Sequence, residues 1–118
     1  MKHFIFYSKH DVLNMTHIRR FETKLGETIQ VVPDKNKWED SLQQSLARYV
    51  IFGIPEDIGV RANHGKGGTD SAWQAFLSSF LNIQSNDFLN GEEMLLLGHF
   101  DFSNAIDVIE QNANSYEE

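Results

Sequence analysis

Apolar residues recur at helical spacing over Val12, Leu13, Met15 and Ile18. Ser8 and Asp11 stand where a helix is capped, and Arg19 and Arg20 lie where a carboxyl-terminal dipole favours cations. After Gly26, the stretch Thr28–Val32 is rich in β-branched residues and closes at Pro33, which predicts a short strand. Asn36 and Glu39 have capping-box spacing ahead of Trp38, Leu42, Leu46 and Tyr49, a stripe that predicts a second helix. Two runs do not alternate at all: Tyr49–Phe52, ended by Gly53, and Met94–Leu97, ended by Gly98. Such runs predict strands covered on both faces, as in a parallel sheet. Between them, residues 55–68 carry four glycines and one proline without periodicity and predict a long loop. Thr69 or Asp70 can cap the next helix, whose apolar positions Ala72, Trp73, Ala75, Phe76, Leu77, Phe80 and Leu81 are broad enough to predict enclosure on most sides. Asn90-Gly91 marks a turn, and Ser103 caps a last helix with Ala105, Ile106 and Ile109 inward.

Helices alternating with buried-type strands predict an α/β fold, a three-layer α/β/α arrangement around a mostly parallel sheet. Residues 1–48 read as an extension with helices and a short strand, and residues 49–118 as strand–helix–strand–helix units. Two parallel strands leave open edges and bare faces. Either Thr28–Val32 joins the sheet or the chain opens a larger one, and in the latter case the bare edge and faces predict a homo-oligomer.

Length and charge narrow the function classes. At 118 residues and 41% hydrophobic composition the chain has room for one modest core, and the absence of cysteine removes disulfides and thiolate metal sites. The net charge of −7 gives no general attraction for phosphate backbones or anionic lipid, so neither nucleic acid nor membrane is an expected partner. All ten Lys and Arg residues fall within positions 1–66, leaving 67–118 with nine acidic residues and no basic one. No apolar run reaches the length of a membrane span or a signal-peptide core, and a cytoplasmic protein is expected.

Candidate chemistry concentrates in the loop after the first continuous run, because open parallel sheets bind ligands beyond the carboxyl ends of their strands. Glu56, Asp57, Arg61, Asn63, His64 and Lys66 are the side chains there that could face a substrate. The segment Gly59–Thr69 lacks phosphate-loop spacing: five residues separate Gly59 from Gly65, and Gly67 follows Lys66 where a hydroxyl residue is required. His99-Phe100-Asp101 places two potential metal ligands on one side of an extended segment, without a third in sequence. A strand-end hydrogen-bonding role is the more economical reading. Trp73, Phe76 and Phe80 follow helical spacing, as core residues do, and no basic residue stands beside them to form a base-stacking platform.

The run from Tyr49 to Trp73 resembles the amino-terminal part of the arginase/ureohydrolase family, which includes agmatinases and formimidoylglutamases. Gly53, Pro55, Asp57 and Gly59 match that family's Gly-x-Pro-x-Asp-x-Gly motif in order, and Gly65 and Gly68 match its later glycines. Thr69 stands in place of a proline and Trp73 in place of an arginine. The resemblance covers about residues 49–102 and is closest to a bacterial formimidoylglutamase or arginase-like branch. It implies the opening portion of an arginase-like fold. The activity implied is hydrolysis of a guanidino or formimino C–N bond in a small amidine or guanidino substrate by two manganese ions. The family's metal-ligand segments have no counterpart here, so the resemblance implies no catalytic residue, no metal ligand and no bound cofactor in this chain. An independent small α/β module that uses the Gly59–Thr69 loop to bind a ligand is the alternative.

Overall fold

The computed structural model describes residues 2–55 and 69–101. Its centre is a three-stranded mixed sheet of β1 (Phe4–Phe6), β2 (Tyr49–Gly53) and β3 (Met94–Phe100), in the order β1-β3-β2. β3 pairs in parallel with β2, Val50 beside Leu95, and antiparallel with β1, Phe4 beside Phe100. The expected mostly parallel, arginase-like sheet is therefore corrected. Phe-Ile-Phe near the start of the chain is too short to show a period, yet its β-favouring residues occupy one flank of β3. β2 is left at the other flank.

Four helices surround the sheet among the described residues: α1 (Lys9–Asn14), α2 (Leu25–Thr28), α3 (Trp38–Gln44) and α4 (Thr69–Phe80). Ser8 caps α1 through a reciprocal box, its hydroxyl accepting from the Asp11 N–H at 3.1 Å while the Asp11 carboxylate accepts from the Ser8 N–H at 2.9 Å. The helix stops well short of Arg19 because its end is occupied. Thr16 Oγ1 donates back to the Val12 carbonyl, and Asn82 at the end of α4 takes both the Met15 carbonyl (3.0 Å) and the His17 N–H (2.7 Å).

The strand expected over Thr28–Val32 does not form, and its first residue, Thr28, ends the single turn of α2. Lys9 Nζ donates to the carbonyls of Gly26, Glu27 and Ile29 at 3.4, 3.1 and 2.8 Å, which satisfies the end of that turn. Burial holds the Lys9 ammonium below its ordinary pKa, against the opposing pull of Glu27. Only Gln30 reaches the sheet, through one parallel bridge to Leu95. The predicted cap of α3 is also displaced. Asp34, not Asn36, caps a 3-10 turn over Lys35–Lys37 that runs into α3, and the helix ends at Gln44, leaving Leu46 and Tyr49 exposed.

Strand alternation divides the core in two. Met94 and Leu96 join Tyr7, Val12, Ile29, Leu77 and Leu81 on one face, where α1 and α4 lie. Leu95 and Leu97 join Val32 on the other, against Phe4, Phe6, Trp38 and Leu42. At Gly98 φ is +148°, a conformation that side chains rarely adopt, and a Cβ there would fall on the Ile5 carbonyl oxygen. The register also slips between Ile51 and Phe52, so that Phe52 faces Gly98. Thr69, a candidate cap in the sequence, is instead the first residue of α4, and the enclosure of the helix is partial. Leu77 and Leu81 are buried, whereas Phe76 is 42% exposed. No helix among the described residues is long and apolar enough to cross a membrane. The last helix expected after Ser103 lies outside the described residues.

Candidate functional site

At the carboxyl end of β3, three elements bring polar atoms together. The antiparallel register sets Ile5 beside His99, and the Tyr7 N–H continues the pairing to the Leu97 carbonyl at 3.0 Å, which carries the buried Tyr7 ring alongside His99. Trp73 arrives from the first half of α4. Its indole lies flat against Gly53, the last residue of β2, where a Cβ would enter the ring system. That close approach requires glycine.

Two hydrogen bonds link the three side chains. Trp73 Nε1–H lies 2.9 Å from the Tyr7 hydroxyl oxygen and can only donate, so the tyrosine accepts there. The Tyr7 oxygen also lies 2.5 Å from His99 Nδ1, and the phenol donates there when the imidazole carries its proton on Nε2. Burial raises the Tyr7 phenol above its ordinary pKa; the Trp73 bond opposes that rise and Asp11 adds to it. Burial also holds His99 below its ordinary 6.5, against the opposing charge of Asp101. Both groups are therefore neutral near pH 7.

Beside this triad an open groove of about 460 Å³ runs between β2 and α4. Ile51, Phe52, Ile54 and Pro55 form one wall, and Ala72, Trp73 and Phe76 the other. Trp73 and Phe76 stack with centroids 5.5 Å apart, and Phe76 continues onto Phe80 at 5.1 Å. The groove is apolar, and the Trp73 indole forms the boundary between it and the triad. It suits a flat, uncharged group.

The sequence candidates fare unequally. Glu56, Asp57, Arg61, Asn63, His64 and Lys66 lie outside the described residues, although Ile54 and Pro55 place the start of their loop at the groove. Of the His99-x-Asp101 pair, His99 turns Nδ1 to Tyr7, and no cluster of three or more His, Cys, Asp or Glu exists among the described residues. The Tyr7–His99–Trp73 grouping has no sequence spacing, since its members are 66 and 92 positions apart. Its one advance signal is chemical: a buried tyrosine and a tryptophan packed on a sheet each need a partner for a polar hydrogen. Compared with protein-family models, with curated proteins and with solved structures, the chain matches none.

Proposed function

We propose that this chain is the amino-terminal, non-catalytic portion of a ureohydrolase-like enzyme that hydrolyses a guanidino or formimino C–N bond. The observation that carries this reading is the position of the Gly53-x-Pro55-x-Asp57-x-Gly59 motif. It starts on the last residue of β2, at the carboxyl end of a parallel β2–α4–β3 unit, where α/β proteins present their ligand loops. The mixed sheet is not the mostly parallel sheet of that family, so the reading rests on the motif's place and not on the sheet.

The two manganese ions of the family do not fit the described residues. No three suitable side chains come together, and His99 has one ring nitrogen committed to Tyr7. Within the described residues, Gly53, where the motif starts, lies against the Trp73 indole. The test is to express the whole reading frame that contains this sequence and assay it with Mn²⁺ on arginine, agmatine and formiminoglutamate. Release of urea or formamide from one of them supports the reading, whereas a frame that stops at Glu118 or a product inactive on all three overturns it.

A second reading, an independent small ligand-binding module, is favoured by the apolar groove along Trp73 and Phe76. Saturable binding of a flat apolar compound to the 118-residue chain, lost on Phe76→Ala with the fold retained, would support it.

A further inference from the structure

We infer that the free edge of β2 is the seam of a homodimer, closed by β2 of a second copy in antiparallel pairing centred on Ile51. Along an extended strand, successive residues turn their N–H and C=O groups to opposite sides. The Arg48 N–H donates to the Glu93 carbonyl at 2.7 Å, so the even-numbered positions face β3 and the backbone groups of Tyr49, Ile51 and Gly53 face outward. The register slip leaves its extra residue, Leu97, on β3, and the alternation of β2 is unbroken. No strand among the described residues takes those outward groups. Tyr49–Gly53 also holds no charge and no proline, the usual devices that blunt an edge.

Two copies that meet through the same surface are related by a two-fold axis. When they join edge to edge into one sheet, that axis passes through the sheet and makes the paired strands antiparallel. One register uses all three outward residues of each copy: Ile51 beside the partner's Ile51, and Tyr49 beside the partner's Gly53. It sets Val50 opposite the partner's Phe52. Both side chains are nearly half exposed, and a β-branched residue facing an aromatic one is a favourable cross-strand pair. Tyr49, 59% exposed, comes opposite a glycine, which leaves room for its ring.

The groove beside β2 fits the same occupant. Trp73 lies on the Cβ side of Gly53, and residues paired across two strands share a sheet face, so the partner's Tyr49 ring enters beside Trp73. A flat, uncharged ring is what that apolar groove accommodates. Charge selects the same surface. A net charge of −7 makes two copies repel in general, but no residue of β2 or of the groove lining is charged, and repulsion is least there. The seam is independent of the hydrolase reading. It gives the groove of the second reading an occupant from the protein itself, and a compound can fail to bind there while the chains still pair.

The chain has no cysteine, so a single introduced cysteine can bond only to another copy. Val50→Cys and Phe52→Cys are made on 118-residue chains carrying tags of different mass, mixed, and oxidised in a glutathione buffer. In the inferred register, positions 50 and 52 of opposite copies lie about 4.5 Å apart at Cα, within reach of a disulfide. Like positions lie about 8 Å apart, beyond that reach. The expected result is a mixed disulfide well above its share from random collision, with both like pairs minor. A mixed product at or below that share, or no disulfide at all, overturns the seam. The wild type decides the matter even if the variants do not fold. Over a concentration series its mass should rise by light scattering while the amides of Tyr49, Ile51 and Gly53 gain hydrogen-exchange protection. A mass that stays at one chain, or one that rises while those three amides exchange as before, overturns it.

Discussion

Two apolar runs, Tyr49–Phe52 and Met94–Leu97, look interchangeable in the sequence and end in different surroundings. β3 takes β1 on one side and β2 on the other, with Met94 and Leu96 facing α1 and α4 and Leu95 and Leu97 facing Trp38 and Leu42. All four residues are buried. β2 has β3 on one side and no strand on its other side among the described residues; Val50 is 46% and Phe52 47% exposed. A continuous apolar run thus reports a strand more reliably than it reports burial. What decides burial is which strand the amino-terminal Phe4–Phe6 segment joins, and that choice is made by long-range pairing.

The sharpest break in the comparison is a truncation in each of the two strands. Leu96 is fully buried at the centre of the larger cluster, so Leu96→Ala should cost about 2–5 kcal/mol, a large part of a typical total of roughly 5–15. Phe52→Ala removes a ring already about half in water that meets Phe100 edge-on at 6.2 Å, and should cost roughly 1 kcal/mol. Urea unfolding of the two variants checks this. Equal losses would mean that β2 is as enclosed as β3.

Gly98→Ala attacks the reason for the difference. It forces a side chain into a positive-φ position and onto the Ile5 carbonyl, with an expected cost of about 1–3 kcal/mol. The damage should fall on one side of β3. The Tyr7 amide, bonded to Leu97, should lose hydrogen-exchange protection, while the Leu95 and Val50 region keeps its own.

A smaller change follows from acid. His99 has a folded pKa below 6.5, so the unfolded chain binds the proton first as pH falls. Its neutral form contributes stability that is complete above 6.5 and declines below it, levelling off once the folded form has also titrated. Asp11 adds a later loss. Its carboxylate accepts the Ser8 N–H and is held below the ordinary 3.8, so its contribution disappears only as pH falls through that lower range. Denaturant midpoints at descending pH should show the first decline in the wild type and not in His99→Gln, which still titrates at Asp11.

Local signals were legible where the chain answers them locally. Ser8 and Asp11 announce the start of α1, Thr69 the start of α4, and the Met94–Leu97 run lies within β3. Apart from the α3 cap, where Asp34 acts locally in place of Asn36, the failures come from groups far away in sequence that take over a segment's hydrogen bonds or pairing. Lys9 takes the carbonyls of Glu27 and Ile29 where a strand over Thr28–Val32 was expected, and Asn82 donates to the carbonyl of Met15, the residue that closes α1. Phe4–Phe6 has too few residues for a period and finds its pairing on β3. The candidate site divides in the same way. His99 was visible as a polar residue at a strand end, but its partners Tyr7 and Trp73 meet it only through the antiparallel β1 and the packing of α4.

The smallest expected effect is at the free side of β2. Val50 pairs with Leu95 through its inner edge, and nearly half of its side chain is in water. Val50→Lys keeps the strand bonds, lets the ammonium reach solvent on its aliphatic stem, and should change stability by no more than about 0.5 kcal/mol. Leu95→Lys, one strand inward, buries the same charge against Val32 and Trp38 and should abolish folding. Lysine on an outer strand is also how natural sheets discourage pairing with another chain. The variant therefore locates the self-association expected from the sequence. Light scattering over a concentration series should show the wild-type mass rising and the Val50→Lys mass holding at that of one chain. A rise of equal size in both would place the contact away from β2, and a constant wild-type mass would mean that an exposed apolar edge flanked by a chain of net charge −7 stays unpaired.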